Sequence, residues 1–288
     1  MQKTMNVKSA PSNRIGATQS RRESLFEDNL FANEAGPVNL ADLLPPERGY
    51  HYAPVEYKIP VDFKLSIVIP VYNEESTILK LLGRVAPMPL NKEIIIVDDC
   101  STDSTLSLLD SITAAHDVRV VSKDENCGKG AALKTGFNLA TGNVVIVQDG
   151  DLEYDPRDIP GLIEPLVSGD ADVVYGSRYM NRSEGDHWFH RFGNWLLTAL
   201  SNLSTGLRLS DMETCYKAFH RDVLRSFEIQ QERFGVEPEI TAKIARRKFT
   251  VAERPIGYDA RDYQAGKKIG IRDGFNALYC IARYGLRD

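Results

Sequence analysis

The chain has no run of apolar residues approaching the roughly 20 needed to span a bilayer, so any membrane contact would be made along its surface. A secretory signal peptide is also lacking. Acidic residues are missing from the first 22 positions, which are basic and carry serine and threonine. That stretch has a faint likeness to an organellar transit peptide, but without amphipathic periodicity it reads as a disordered tail. Cysteine is scarce: Cys100, Cys127, Cys215 and Cys280 stand far apart without metal-ligand spacing, as free thiols would in a reducing, cytoplasmic compartment. There is no basic excess either. The net charge is −5, and residues 61–240 carry 17 basic against 28 acidic side chains, while residues 241–288 carry 11 against 5. An acidic body with a basic C-terminal part argues against a nucleic-acid partner and suits a metal-bound phosphate gripped by cations from its far side.

What is present centres on Asn143-Val-Val-Ile-Val-Gln-Asp149-Gly-Asp151-Leu-Glu153-Tyr-Asp155. Four consecutive β-branched residues predict a strand covered on both faces. The glycine between Asp149 and Asp151 lets the chain turn and aim both carboxylates at one point. Such hard oxygen donors suit Mg²⁺ or Mn²⁺, which fill the rest of their shell with water and substrate phosphates. Glu153 is a candidate third ligand. A solvated acidic turn capping the helix near Pro156 is the plainer alternative for this short motif taken alone.

Residues 1–60 read as a largely irregular, flexible extension, because Pro37, Pro45, Pro46, Pro54 and Pro60 interrupt it. Leu40, Leu43 and Leu44 could pack on the body or on a partner. From about residue 61, strands alternate with helices: Leu65–Pro70, then a helix with Ile78, Leu81 and Leu82 on one face; Glu93–Val97, then a helix with Leu106, Leu109 and Ile112; Val118–Ser122, then a helix from Lys129 to Ala140; and the Val144–Val147 strand. That alternation predicts an α/β fold with a mostly parallel central sheet and helices on both faces. Ligands in such sheets bind beyond the carboxyl ends of the strands, where Tyr72, Asp99 and Asp149 fall. Helix capping accounts for Ser101 or Asp103 singly, but not for three acidic clusters at equivalent strand ends.

Ile69-Pro-Val-Tyr-Asn-Glu74, Val97-Asp-Asp-Cys-Ser-Thr-Asp103, Asn126-Cys-Gly-Lys-Gly130, Asp149-Gly-Asp151 and Tyr175-Gly-Ser-Arg-Tyr179 follow one another in this chain. The set resembles glycosyltransferase family 2, in the branch of dolichol-phosphate mannosyltransferases and polyprenyl-phosphate glucosyltransferases, over about residues 63–275. The resemblance implies a GT-A fold over residues 61–288, with a nucleotide-sugar half at about 61–155 and an acceptor half at about 156–288. It implies inverting, metal-dependent transfer from a nucleoside diphosphate sugar of the UDP-glucose or GDP-mannose type to a polyprenyl phosphate. Pro70, Tyr72 and Glu74 would line the base and ribose pocket, with Asp99 and Asp103 accepting from base or ribose. Asp149, Asp151 and Glu153 would hold the metal. Lys129 would reach a phosphate or the base, unless it is a surface lysine between glycines. Arg178 would grip an acceptor phosphate, with Arg191 and Asn194 beside it, and Asp211 matches a family position. Were the acceptor a hydroxyl, Asp211 or Glu213 would be the candidate base. Arg261, Gly266, Lys267 and Lys268 resemble a C-terminal arm that closes over the diphosphate.

The stretch Trp188–Leu209 places Trp188, Phe192, Trp195 and Ala199 at helical spacing and reads as core, with an interfacial helix on lipid as the alternative. With no spanning helix before Asp288, a lipid acceptor would be reached peripherally, on the cytoplasmic face. Two other readings stand beside this one: the same core acting on a soluble or protein-bound hydroxyl, and a non-catalytic assembly module. A nucleotidyltransferase is set aside, because no Gly-rich, Arg-containing loop follows the first strand.

Overall fold

The buried runs of the sequence assemble into one seven-stranded sheet. In the computed structural model, which describes residues 38–44, 47–180, 188–260 and 271–286, the strands are β1 (Leu65–Val71), β2 (Lys92–Asp98), β3 (Val118–Ser122), β4 (Val144–Val147), β5 (Val173–Ser177), β6 (Lys217–His220) and β7 (Val251–Pro255). Their order is β3-β2-β1-β4-β6-β5-β7. β6 runs antiparallel to β4 and β5, and every other pairing is parallel. All strands but β6 therefore point the same way. The carboxyl ends of β1, β2, β4 and β5 line one edge of the sheet, and the chain leaves each of them into one of the polar clusters.

The centre of the sheet is closed on both sides. Every residue of β4 is buried, as are Leu65 to Ile69 of β1, so no polar alternation survives in either strand. The edge strand β3 is only half-buried, and there the alternation returns with Arg119 outside. The helices are α1 (Leu40–Leu43), α2 (Ile78–Val85), α3 (Thr105–Asp110), α4 (Lys129–Leu139), α5 (Ile159–Ser168, entered through a 3₁₀ turn at Pro156–Asp158), α6 (Trp188–Thr205), α7 (Arg221–Arg225), α8 (Val236–Arg246) and α9 (Ile271–Leu286). α2 buries Ile78, Leu81 and Leu82 as their spacing predicts. α4 lies so close to β1 that a Cβ on Gly136 would come within 2.3 Å of Val68 Cγ1.

Two expectations change here. The compact unit begins at Val38 rather than near residue 61. Leu40 is fully enclosed in the core, Leu43 and Leu44 pack against it, and Tyr50 is 6% exposed. The Leu40 N–H donates to Asp117 Oδ1 at 2.9 Å, which pins this segment to the turn before β3. Isolated anchors between prolines carry no period, so sequence pattern does not register them.

The second change concerns α6, read above as core. Phe192 is 55%, Trp195 61% and Leu203 84% exposed, whereas among the described side chains of the helix Asn194, Thr198 and Ser201 are the buried ones. The polar face is turned inward because it has partners there: Thr198 Oγ1 accepts from the Met212 N–H at 3.1 Å, and Asn202 exchanges two hydrogen bonds with the Leu209 backbone. Among the described residues no helix is long and apolar enough to cross a membrane.

Candidate active site at the carboxyl edge of the sheet

The end of β1 delivers Pro70 and Tyr72, both half-buried, and then Glu74, which is 6% exposed. The Glu74 N–H donates to Thr105 Oγ1 at 2.8 Å, and its carboxylate accepts from Thr77 Oγ1 at 2.9 Å, so this loop is fixed onto the start of α3. Asp103 does similar work, accepting from the N–H groups of Thr105 and Glu75. Asp99 is also committed to protein partners. Its carboxylate accepts from the Cys127 and Gly128 N–H groups at 3.1 and 2.6 Å and pairs with Lys123 at 3.1 Å. The two aspartates expected to meet base or ribose are thus both engaged by donors of the protein itself.

Why Lys129 stands between two glycines is visible in the packing. Gly128 has φ +99°, and a Cβ on Gly130 would fall 2.1 Å from the Gln231 carbonyl oxygen. Only glycines let the start of α4 approach the 231–232 backbone that closely. The result is a half-buried ammonium held between carboxylates, not a freely solvated surface lysine. Lys129 Nζ lies 3.1 Å from Asp149 Oδ1, 3.2 Å from Asp149 Oδ2 and 3.3 Å from Glu237 Oε1. Burial alone would lower its proton affinity, but the Asp149, Cys215 and Glu237 groups around it outweigh burial and hold it well above the ordinary lysine range. Glu237, at the start of α8, was not singled out from sequence. An acidic first turn of a helix reads as a response to the helix dipole, and nothing local links it to a lysine more than a hundred residues away.

Beyond β4, the chain passes through Gln148, Asp149 and Gly150 to Asp151 and then bends at Leu152, whose φ is +66°. The Glu153 N–H donates to Asp151 Oδ1 at 3.1 Å. The Glu153 carboxylate instead accepts from the Tyr258 hydroxyl at 2.9 Å, and its carbonyl accepts from the Asp259 N–H. Among the described residues no three His, Cys, Asp or Glu side chains gather closely enough to hold a metal by themselves. Asp149 and Asp151 nonetheless present the donor chemistry that Mg²⁺ or Mn²⁺ takes, and Asp149 already holds a cationic ammonium against both oxygens. The residues present fit such an ion if a ligand completes its shell.

Further along the sheet, β5 ends at Ser177 and the next residue is Arg178. Its Nε and Nη2 form a fork on Asp211 Oδ2 and Oδ1 at 2.6 and 2.7 Å. Asn194 Nδ2 donates to the same Oδ1 at 3.1 Å, and the Arg178 backbone N–H donates to Oδ2 at 3.1 Å. The paired donors expected to take a phosphate are therefore occupied by Asp211, which orients the guanidinium. Four donors fill both oxygens of Asp211, so the position is ill suited to a base. The remaining nitrogen, Nη1, has no hydrogen-bond partner among the described residues. Tyr258 lies beneath the guanidinium at 5.1 Å and so joins Arg178 to Glu153. No sequence signal marked that tyrosine. Arg191 is exposed, 5.7 Å over the Tyr179 ring. Glu213 has Oε1 enclosed without a hydrogen-bond partner among the described residues; burial, then the neighbouring Glu237, push its carboxyl up to about 8. Arg261, Gly266, Lys267 and Lys268 lie outside the described residues. All four cysteines are free thiols.

The chain matches the family model "Glycosyl transferase family 2" over residues 66–227. It is 33% identical over 225 residues to an undecaprenyl-phosphate 4-deoxy-4-formamido-L-arabinose transferase of Aeromonas hydrophila, covering 76% of this chain and 67% of that one. It is 30% identical to a dolichol-phosphate mannosyltransferase of Pyrococcus furiosus, covering 77% and 64%. A dodecaprenyl-phosphate galacturonate synthase of Rhizobium johnstonii shares 29%, covering 75% and 64%. Among solved structures, glucosyl-3-phosphoglycerate synthase of Mycobacterium tuberculosis in complex with Mn²⁺, UDP-glucose and phosphoglyceric acid superposes with a TM-score of 0.59 at 22% identity, covering 78% of this chain and 81% of that one. The fold is therefore of the GT-A type. With the family model spanning more than half of its length, and a transferase sharing a third of the aligned residues, this chain belongs to glycosyltransferase family 2.

Proposed function

We propose that this glycosyltransferase moves a sugar from a nucleoside diphosphate sugar, of the UDP-glucose or GDP-mannose type, to a polyprenyl phosphate, with inversion. The acceptor side carries this reading. Arg178 is fixed on Asp211 beside α6, whose outward face is apolar, and the four donors on Asp211 leave it ill suited to act as a base. A phosphate acceptor needs none, since it is already anionic. The polyprenyl-phosphate relatives point to the same acceptor class.

In this scheme Pro70, Tyr72 and Glu74 border the nucleoside, and Asp99 and Asp103 hold the loops around it. Asp149 and Asp151 would hold Mg²⁺ or Mn²⁺, with Glu153 alongside. A bound ion supplies positive charge against the diphosphate as it leaves. Lys129 keeps Asp149 in place and balances its charge. An oxygen of the acceptor phosphate attacks the anomeric carbon from the face opposite the leaving group. The bond to the donor's diphosphate oxygen breaks, and its electron pair departs with the diphosphate. Arg178, through Nη1, orients the incoming phosphate, with Asn194 and Arg191 on the same side and Arg261, Lys267 and Lys268 serving the diphosphate.

Contact with the membrane would be peripheral. Phe192, Trp195, Leu196 and Leu203 of α6 and Phe275 and Tyr279 of α9 are all exposed, and α6 contains no acidic residue. Such a face suits the headgroup region of a bilayer. The test mixes purified protein, Mn²⁺, labelled UDP-glucose or GDP-mannose, and a short polyprenyl phosphate in detergent. Labelled lipid that disappears with EDTA and returns with Mn²⁺ is the expected result. Slow donor hydrolysis with no lipid product from any donor would overturn the lipid acceptor in favour of a hydroxyl.

A further inference from the structure

The family match begins at residue 66, yet a segment well before it reaches the carboxylate loop. Tyr50, 6% exposed, donates its hydroxyl to Asp155 Oδ1. The same oxygen accepts from the Arg157 N–H at 2.9 Å, and Arg157 Nε and Nη2 close on Asp155 Oδ2 at 3.0 and 2.6 Å. The Tyr50 ring meets two guanidinium groups, its centroid 4.6 Å from that of Arg157 and 5.2 Å from that of Arg84. The segment is anchored on either side of this contact independently of it. Glu47 pairs with Arg84, the Tyr52 hydroxyl donates to the Arg84 carbonyl at 2.9 Å, and the Tyr57 hydroxyl donates to the Pro160 carbonyl at 2.8 Å.

The loop that Asp155 closes is one that needs holding. Leu152 occupies the left-handed region at φ +66°, a conformation a leucine keeps only when its surroundings impose it. It sits between Asp151 and Glu153. Upstream, the loop is fixed by β4 and by Gln148, whose amide donates to the Asp149 carbonyl at 3.1 Å and whose side-chain oxygen accepts from the Tyr216 hydroxyl at 2.5 Å. Downstream, Glu153 is held by Tyr258 and Asp259, Tyr154 is buried with its hydroxyl accepting from the Cys215 N–H, and Asp155 ties the end of the loop to residues outside it.

We infer that Tyr50 is a positioning residue for catalysis: through Asp155 it sets the downstream end of the Asp149–Glu153 loop, so that residues 47–57 are part of the catalytic apparatus. This rests on the reading of Asp149 and Asp151 as the metal-holding pair. Tyr50→Phe tests it, because the ring and both guanidinium contacts remain and only the hydroxyl goes. The readout is thermal stabilisation of the full chain as Mn²⁺ is titrated in the presence of UDP and, separately, GDP, together with the melting temperature without metal. The expected result is a rise of roughly tenfold in the Mn²⁺ concentration at half-effect, the scale of losing one hydrogen bond to a charged group. Turnover should fall with it at limiting Mn²⁺ and recover at high Mn²⁺. In an Asp155→Asn background the same substitution should add nothing further, since both act through one contact. A lower melting temperature without metal, alongside an unmoved Mn²⁺ midpoint, would mean that Tyr50 only stabilises the fold, and would overturn the inference. Wild-type protein that responds to neither nucleotide with Mn²⁺ would bring down the metal reading itself, and this inference with it.

Discussion

Arg178 and Asp211 act as one unit, and this decides which substitution is informative. Asp211 is fully buried, so Arg178→Ala would strand an unpaired carboxylate and cost about 3–5 kcal/mol of stability, visible in urea denaturation. Arg178→Lys keeps a positive charge but not the fork, and should lower activity roughly ten- to a hundredfold while the protein still folds. Its effect is expected in the acceptor's KM or kcat, with donor affinity barely changed. Lys129 is a second such unit: Lys129→Met leaves Asp149 and Glu237 facing each other, and adding Glu237→Gln should return part of the lost stability. Glu213 makes a pH prediction. Its carboxyl is raised from an ordinary 4.5 to about 8 in the folded chain. Between those values the folded state binds a proton that the unfolded state has released. This contribution to stability is therefore full at the acidic side and lost as pH rises through the window. Glu213→Gln should flatten that part of the stability profile, and an unchanged slope in denaturation from pH 5 to 8 would show the carboxyl to be ordinary.

Among the elements, α6 shows how far periodicity reaches. Its apolar spacing was legible, but not which face the protein covers. That was settled by Asn194, Thr198 and Asn202, whose partners on Asp211, Met212 and Leu209 lie beyond the end of the helix. Replacing Trp195 and Leu203 by serine should leave stability within about 0.5 kcal/mol, since both are exposed. If the face meets lipid, flotation with anionic vesicles should drop in the same variant. The start of α4 teaches the opposite lesson. Its glycines were visible in sequence, while their reason, the close approach of the 231–232 backbone, was not.

For the molecule as a whole, removing residues 1–37 should leave the melting temperature unchanged, because the compact unit starts at Val38. Removing residues 1–60 takes away Leu40 and Tyr50 from buried positions and should cost more than a single large core truncation, which is about 2–5 kcal/mol. The first four strands, the order of the polar clusters and the family could be read from the sequence by itself, while β6 and β7 could not. Buried parallel strands require continuous β-branched runs, and catalytic loops must follow them directly, so both leave local marks. Which charged groups are committed to partners within the protein was decided only by the tertiary structure. Asp99 is taken by the turn at Gly128, Arg178 by Asp211 and Lys129 by Glu237. Each choice depends on a partner brought from a distant part of the chain, and the energy of pairing a buried charge has no signature in the residues beside it.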